Sequence, residues 1–387
     1  MRVLTLNCWG LKYLSRLRVA RLRAIGDYLA DTDYDVIALQ EIWVESEDWR
    51  YVKSVCSKKY PHATFFFAAA FGAGLAVLSR HPIVSVDTHM YSLTGVPVFV
   101  HQGDWIAGKA CGCATIQHPT LGLVDVWNTH QRAFRASEAF ELAELCRASF
   151  EKGRHVLCMG DLNSLPDSLC ISLLRDYAQL EDAYDGALKS GSEPDEITCD
   201  SPRNTWTKGK PLDALAQRHG GKRLDYVLSR SPGEKAVRCT SLKVTLDQLV
   251  PALGVSFSDH FGVEAEFELV QQPESDIKPA ASEPLIRTAE LLRGALVEAS
   301  QQQAVQVGIF VGGLVGALAS IVGAACAASQ LAAGASAGVV VALGLATIAF
   351  SWVGTTALYS GVVWGEWHKR AIRGLLVRIE TRVKSDD

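Results

Sequence analysis

Apolar residues in the first 270 positions recur in short runs separated by polar breaks. Val3–Leu6, Val36–Leu39, Thr64–Ala69, Gly74–Leu78, Ile83–Val86, Cys111–Gln117, Leu123–Asn128, Val156–Met159, Arg223–Leu228, Leu242–Leu246 and Val263–Phe267 have the length of buried strands. Ser15–Leu29 instead places Leu17, Leu22, Ile25 and Leu29 near helical spacing. Glu47–Val55, Ala136–Phe150 and Ser168–Arg175 also read as helices. Many strands and few long helices predict an α/β sandwich with largely antiparallel sheets.

After position 270 the pattern changes. Residues 271–283 are polar, with Pro273, Pro279 and Ser282, and read as a solvated linker. Pro284–Gln303 follows as an amphipathic helix, with Leu285, Ala289, Leu292, Leu296 and Ala299 on one side. Ala304–Ala328 and Leu331–Gly365 carry no charge, and crossing a hydrocarbon core takes roughly 20 apolar residues. A pair of buried core helices would have the same composition, but two adjacent stretches of this length favour a transmembrane hairpin. The glycine spacing Gly308, Gly312, Gly316, and then Gly334, Gly338, predicts close helix contact in lipid. Lys369, Arg370, Arg373, Arg378, Arg382 and Lys384 follow the second stretch, which places both ends in the cytosol. The expected division is 1–270 catalytic domain, 271–303 linker and juxtamembrane helix, 304–365 two transmembrane helices, and 366–387 basic tail.

Composition adds limits. The net charge of −4 argues against nucleic acid as the main partner, since a binding face for phosphates is usually basic. The ten cysteines form no CxxC pair, and no apolar leader opens the chain, so reduced thiols in a cytosol-facing domain are expected.

Polar residues stand where the strand runs end. Asn7 follows the first, Glu41 the second, His130 the seventh and Asp161 with Asn163 the eighth. Asp225 lies in Arg223-Leu224-Asp225-Tyr226, and Asp259-His260 follows Ser258. Acids and amides at several strand ends can converge in one cleft. A Glu beside an Asn suits Mg²⁺, which prefers oxygen ligands, and a His beside acids suits a general base. Each residue also has a plainer reading. Asp161 and Asn163 could cap the next helix, Asp225 could pair with Arg223 on an edge strand, and a lone His130 is commonly structural. Gly103-Asp104-Trp105-Ile106-Ala107-Gly108-Lys109 has the outline of a nucleotide loop but lacks the Ser or Thr that would follow.

The order Asn7, Gln40-Glu41, Thr129-His130, Gly160-Asp161-Leu162-Asn163, Leu224-Asp225-Tyr226, Ser258-Asp259-His260 resembles the endonuclease/exonuclease/phosphatase superfamily. With the paired spans and the Asp104/Lys109 spacing, it is most similar to neutral sphingomyelinases and inositol phosphosphingolipid phospholipases C. The resemblance implies a four-layer, deoxyribonuclease I-like α/β sandwich with a C-terminal two-helix transmembrane hairpin. It also implies Mg²⁺-dependent cleavage of a membrane sphingolipid. Glu41 and Asn7 would hold the metal and His260 would be the base held by Asp225. Asp161, Asn163 and His130 would act on the phosphorus, Asp259 would support, and Asp104 with Lys109 would gate the substrate. Anionic lipids such as phosphatidylserine or cardiolipin are expected activators. The expected location is the endoplasmic reticulum or another endomembrane, with mitochondria as a further choice. A membrane-tethered nuclease is the competing reading. Gln131 departs from the apolar residue common after the His in related lipases.

Overall fold

Parity along the strands accounts for the architecture. In β1 (Arg2–Asn7) and β2 (Val36–Gln40), Val3, Val36 and Ala38 join one buried cluster, while Leu4, Leu6, Ile37 and Leu39 join another. Both faces are buried, so these strands read as continuous apolar runs. The computed structural model describes residues 1–69, 72–93, 95, 108–132, 134–233, 235–271, 280–330 and 333–386. The chain divides into two compact units, one built from Met1–Gly95 with Gly103–Thr288 and a second containing Ala289–Asp387.

The first unit holds two six-stranded sheets. One has the order β11-β14-β1-β2-β4-β3, where β3 is His62–Phe66, β4 Leu75–Ser79, β11 Lys235–Thr245 and β14 Gly262–Gln271. The other runs β5-β6-β7-β8-β10-β9. Its strands are β5 Ile83–Met90, β6 Ala110–His118, β7 Gly122–His130, β8 His155–Asp161, β9 Glu181–Asp182 and β10 Asp225–Arg230. Only β1/β2 and β7/β8 pair in parallel; the other described ladders are antiparallel, as expected. The apolar cluster joining Val3, Val36, Val77, Ala114, Val126, Leu157, Met159 and Val263 lies between the sheets. On the outer face of the first sheet, the helix Arg18–Asp31 buries Leu22, Ile25 and Leu29. The helix Arg135–Glu151 lies against β8 in the second. Helix, sheet, sheet, helix is a four-layer sandwich.

Short elements escaped the sequence. β9, the two-residue pair Leu249–Val250 with Val255–Ser256, and the helices Ala183–Lys189 and Ala214–His219 are too brief to show a period. Expected boundaries also moved: β11 begins at Lys235 rather than Leu242, and the strand expected over residues 64–69 occupies His62–Phe66. All ten cysteines are free thiols.

The second unit is helical. No break separates the amphipathic segment from the first apolar stretch; one helix runs Glu283–Gln330. Gln301-Gln302-Gln303 at the expected junction are good helix formers with no stop signal. A second helix, Ala333–Leu358, passes through a π-helical turn, Tyr359–Trp364, into the helix Gly365–Asp386. Both long helices are apolar enough to cross a membrane. Val315, Leu318, Val322, Leu345, Ile348 and Trp352 turn outward, the arrangement expected when the solvent is lipid. Of the glycines expected to meet the partner helix, Gly316 does, joined by Gly313, which the spacing did not mark. A Cβ on Gly313 would lie 2.9 Å from Gly354 Cα, and one on Gly316 would lie 2.8 Å from the Phe350 ring. Gly308, Gly312, Gly334 and Gly338 have nothing within 4 Å.

Candidate active site

The parallel pairs set the site. Register aligns Asn7 with Gln40 at the end of β1/β2, His130 with Asp161 at the end of β7/β8, and Asp161 with Asp225 across β8/β10. The strand-end residues of both sheets therefore meet at one edge of the sandwich. Gly160 permits this in the second sheet. Its φ is +141°, and a Cβ there would lie 2.0 Å from Thr129 O, so no side chain fits between the strands. Beneath the site, Gln40 and Asn128 tie the sheets together. Gln40 Nε2 donates to Asn128 Oδ1 at 2.8 Å, and Asn128 Nδ2 donates to the carbonyls of Leu39 and Ala76, both at 3.0 Å.

Asp161 is the hub. Its Oδ2 accepts from Asn7 Nδ2 at 3.0 Å and Asn163 Nδ2 at 3.1 Å, and its Oδ1 accepts from Asn163 N at 2.9 Å. Burial pushes its carboxyl up to about 7, with His260 opposing and Asp225 adding to the rise. Asn163 donates also to Gln131 O at 2.9 Å and takes a left-handed backbone, φ 46°. Neither residue caps the next helix; Ser168 does that.

His260 Nδ1 lies 2.8 Å from Asp225 Oδ2, and its Nε2 lies 3.8 Å from Asp161 Oδ2. Burial alone would lower the imidazole's pKa, but the neighbouring Cys199, Asp225 and Asp161 raise it well above the ordinary histidine value. Asp225 is not on an edge, since β10 lies between β8 and β9. Arg223 pairs instead with Asp182 at 3.0 Å. Asp161, Asp225 and His260 are close enough to share an ion. The Nδ1 bond to Asp225 makes them an acid–base chain, because it occupies the lone pair or proton a ligand would need free.

His130 has the opposite electrostatics. Burial, with Lys109 beside it, holds its pKa well below the ordinary value, so the ring is neutral. Lys109 Nζ lies 3.1 Å from Nδ1 and, as an ammonium, can only donate. Nε2 therefore carries the proton, 3.6 Å from both Glu41 Oε1 and Asp161 Oδ2. Asp104 and most of the segment around it lie outside the described residues.

Glu41 leaves β2 with φ 53°, a conformation costly for any side chain other than glycine. Its Oε1 accepts from Asn7 Nδ2 at 3.2 Å, while Oε2 is buried with no hydrogen-bond partner. The Trp9 N–H donates to Asn7 Oδ1 at 2.9 Å, which fixes the amide with its nitrogen toward the carboxylates. Ser258 Oγ donates to Asn7 O at 2.6 Å, and neighbouring Asp259 is half-buried with its carboxyl raised by desolvation.

Sequence reasoning missed three contributors. Cys199 comes from a loop, yet its Sγ is 3.4 Å from His260 Nε2. Gln40 stood in the Gln40-Glu41 motif and Asn128 as a polar interruption in a buried strand, but neither was read as the bridge between the sheets. A further His/Asp group, Asp35, His81 and His118, sits at the opposite strand ends. It makes a poor metal site: His118 Nδ1 accepts from Thr120 N, Thr120 Oγ1 and Leu121 N, leaving the proton on the other nitrogen.

The family model described as Endonuclease/Exonuclease/phosphatase matches residues 4–260. Inositol phosphosphingolipids phospholipase C of Schizosaccharomyces pombe is 34% identical over 302 residues, 70% of this chain and 69% of that protein. Sphingomyelin phosphodiesterase 2 of Homo sapiens is 33% identical over 303 residues, 74% of this chain and 70% of that one. The structure of beta toxin from Staphylococcus aureus, determined with bound magnesium ions, shares the fold with a TM-score of 0.54 at 17% identity. It covers 69% of this chain and 99% of that one. The match begins in β1 and ends on His260, so it contains each strand end that builds the site, and the chain belongs to the endonuclease/exonuclease/phosphatase family.

Proposed function

We propose that this chain is a membrane-anchored phosphodiesterase of the phospholipase C type, hydrolysing sphingolipids to ceramide and a phosphorylated headgroup. The observation that carries the reading is the His260–Asp225 pair facing Asp161, in a chain about one-third identical to two sphingolipid phosphodiesterases. His260 Nε2 takes a proton from the attacking water, while Nδ1–H stays on Asp225, whose charge stabilises the imidazolium. His130 presents Nε2–H to the phosphoryl oxygens, where negative charge grows. Asn163 clamps Asp161 from main chain and side chain together, and Asp259 adds to the field.

A divalent cation, Mg²⁺ in this reading, would be held by Glu41, with Asn7 orienting the carboxylate. The fit rests on Glu41 Oε2, a buried anionic oxygen without a partner, and on an oxygen donor of the kind Mg²⁺ prefers. When bound, the cation supplies charge that polarises the phosphoryl group and stabilises the leaving alkoxide. Asp104 and Lys109 form the substrate gate.

Two apolar helices carry the membrane association. The basic residues from Lys369 to Lys384 support a catalytic unit that faces the cytosol, and the reading takes the membrane to be the endoplasmic reticulum or another endomembrane. They also favour activation by phosphatidylserine or cardiolipin, at about 1 kcal/mol per cationic residue near the leaflet. The experiment is a panel in mixed micelles with the full chain: sphingomyelin, inositol phosphoceramide, lysolipid and, separately, abasic DNA, each with and without Mg²⁺. Cation-dependent ceramide release is expected. DNA nicking without ceramide release would establish the tethered nuclease instead.

A further inference from the structure

The loop that leaves β1 begins inside the site and ends on an unusual surface. Trp9 N donates to Asn7, and Gly10 N donates to Glu41 O at 2.8 Å, so the loop's origin is fastened to the strand ends. Over the next seven residues, Tyr13 is 90% exposed, Leu14 76% and Leu17 53%, with exposed Lys12 just before them and exposed Arg16 among them. Single exposed apolar residues are ordinary, but three large ones in one short loop are a patch. Phe67 is 66% exposed where β3 ends, and register places that end at the same edge of the sheet as Asn7 and Gln40.

A second segment is joined to this loop. The Trp9 and Trp206 rings lie 5.1 Å apart, Arg16 sits over Trp206 at 5.7 Å, and Lys210 over Trp9 at 5.8 Å. Lys208 and Lys210 are exposed. The nearby acids Glu47 and Asp48 are both paired with Arg18, and Glu47 lies close enough to Lys12 to share its charge as well.

We propose that this rim, Tyr13, Leu14 and Leu17 ringed by Lys12, Arg16 and Lys210, is a docking surface for a lipid bilayer carrying anionic headgroups. Leucines suit the acyl boundary, Tyr the headgroup zone, and long cationic side chains reach phosphates while burying their stems. A protein partner would be met by a broader surface than one narrow loop. The inference rests on the sphingolipid reading for the choice of lipid as occupant. It goes further by assigning the loop after β1 to the interface, where it holds the Asn7 and Glu41 strand ends close to the leaflet.

Two measurements on the full chain, reconstituted in vesicles containing phosphatidylserine, test it. Cys326 is the exposed thiol and the other nine are buried, so a Cys326→Ser background accepts one probe. A polarity-sensitive fluorophore at Leu14→Cys is expected to be quenched at least about twofold by brominated lipid. The same probe at Val84→Cys, exposed at the opposite end of the sheet, is expected to stay unquenched. Separately, Tyr13→Asp with Leu14→Asp should lower sphingolipid hydrolysis in vesicles by about tenfold and leave a water-soluble short-chain phosphodiester unaffected. An unquenched Leu14 probe overturns the proposal, as does quenching that vanishes when the protein is diluted among vesicles, which would mark a contact between copies. Equal loss on both substrates also counts against docking. If the unsubstituted chain cleaves neither substrate, the function reading fails, and the quenching result then judges the docking surface alone.

Discussion

His260 and His130 stand at one edge with opposite electrostatics, and the difference is one of neighbours. Acids around His260 raise its pKa, whereas burial beside Lys109 lowers that of His130. A raised base must lose its proton before it can accept one from water, so hydrolysis is expected to fall as pH drops through His260's folded value. Asp225→Asn removes one of the charges that raise it. The acidic limb should then move to lower pH while the maximal rate falls by about two to four orders of magnitude, the usual worth of a positioned base. A pH–rate profile of the variant checks both, and an unmoved limb would remove His260 from the base role. The residues of this pair were legible in the sequence because they end strands in a familiar order. Cys199 was not, because a loop carries it to His260 and nothing in Ile197-Thr198-Cys199-Asp200 marks a turn toward the site.

At the scale of elements, periodicity found the long strands and helices and failed where an element was too short or its spacing irregular. Among the described residues, the π-helical turns Glu45–Trp49, Leu173–Tyr177 and Tyr359–Trp364 keep helical hydrophobicity while shifting its phase, so their boundaries could not be read. The glycine stripe shows the same limit. A four-residue spacing marked Gly308, Gly312 and Gly316, yet of these three Gly316 alone meets the partner helix, because which face is in contact depends on where that helix lies. Gly313→Ile is expected to destabilise the helix pair by about 1–3 kcal/mol through overpacking against Gly354 and Phe350. Gly312→Ile, one position away with no neighbour within 4 Å, should be neutral. Unfolding of the helical signal in detergent compares the two, and equal midpoints would mean the helices do not touch there.

Across the whole molecule, buried histidines set the response to acid. His118, His130 and His155 all have pKa values lowered by burial. The unfolded chain then binds protons more readily than the folded one, so their contribution is present above the unfolded value, near 6.5, and is lost below it. His260 works in the other direction: its stabilisation is complete below the unfolded value and fades as pH rises through the raised one. Melting temperature is therefore expected to drop between pH 7 and pH 5. His118→Asn, which keeps an acceptor for Thr120 and Leu121, should flatten that slope. An identical slope in the variant would place the acid sensitivity elsewhere.

The two sheets each hold part of the chemistry. The sheet containing β1, β2 and β14 brings Asn7, Glu41 and His260, and the sheet containing β7, β8 and β10 brings His130, Asp161 and Asp225. Even the His260–Asp225 hydrogen bond crosses between them. A refolding chain can thus complete either layer without gaining any catalytic power. Recovered turnover would time the docking of the layers, the step that the Gln40–Asn128 bridge locks, and would trail any spectroscopic signal of strand formation.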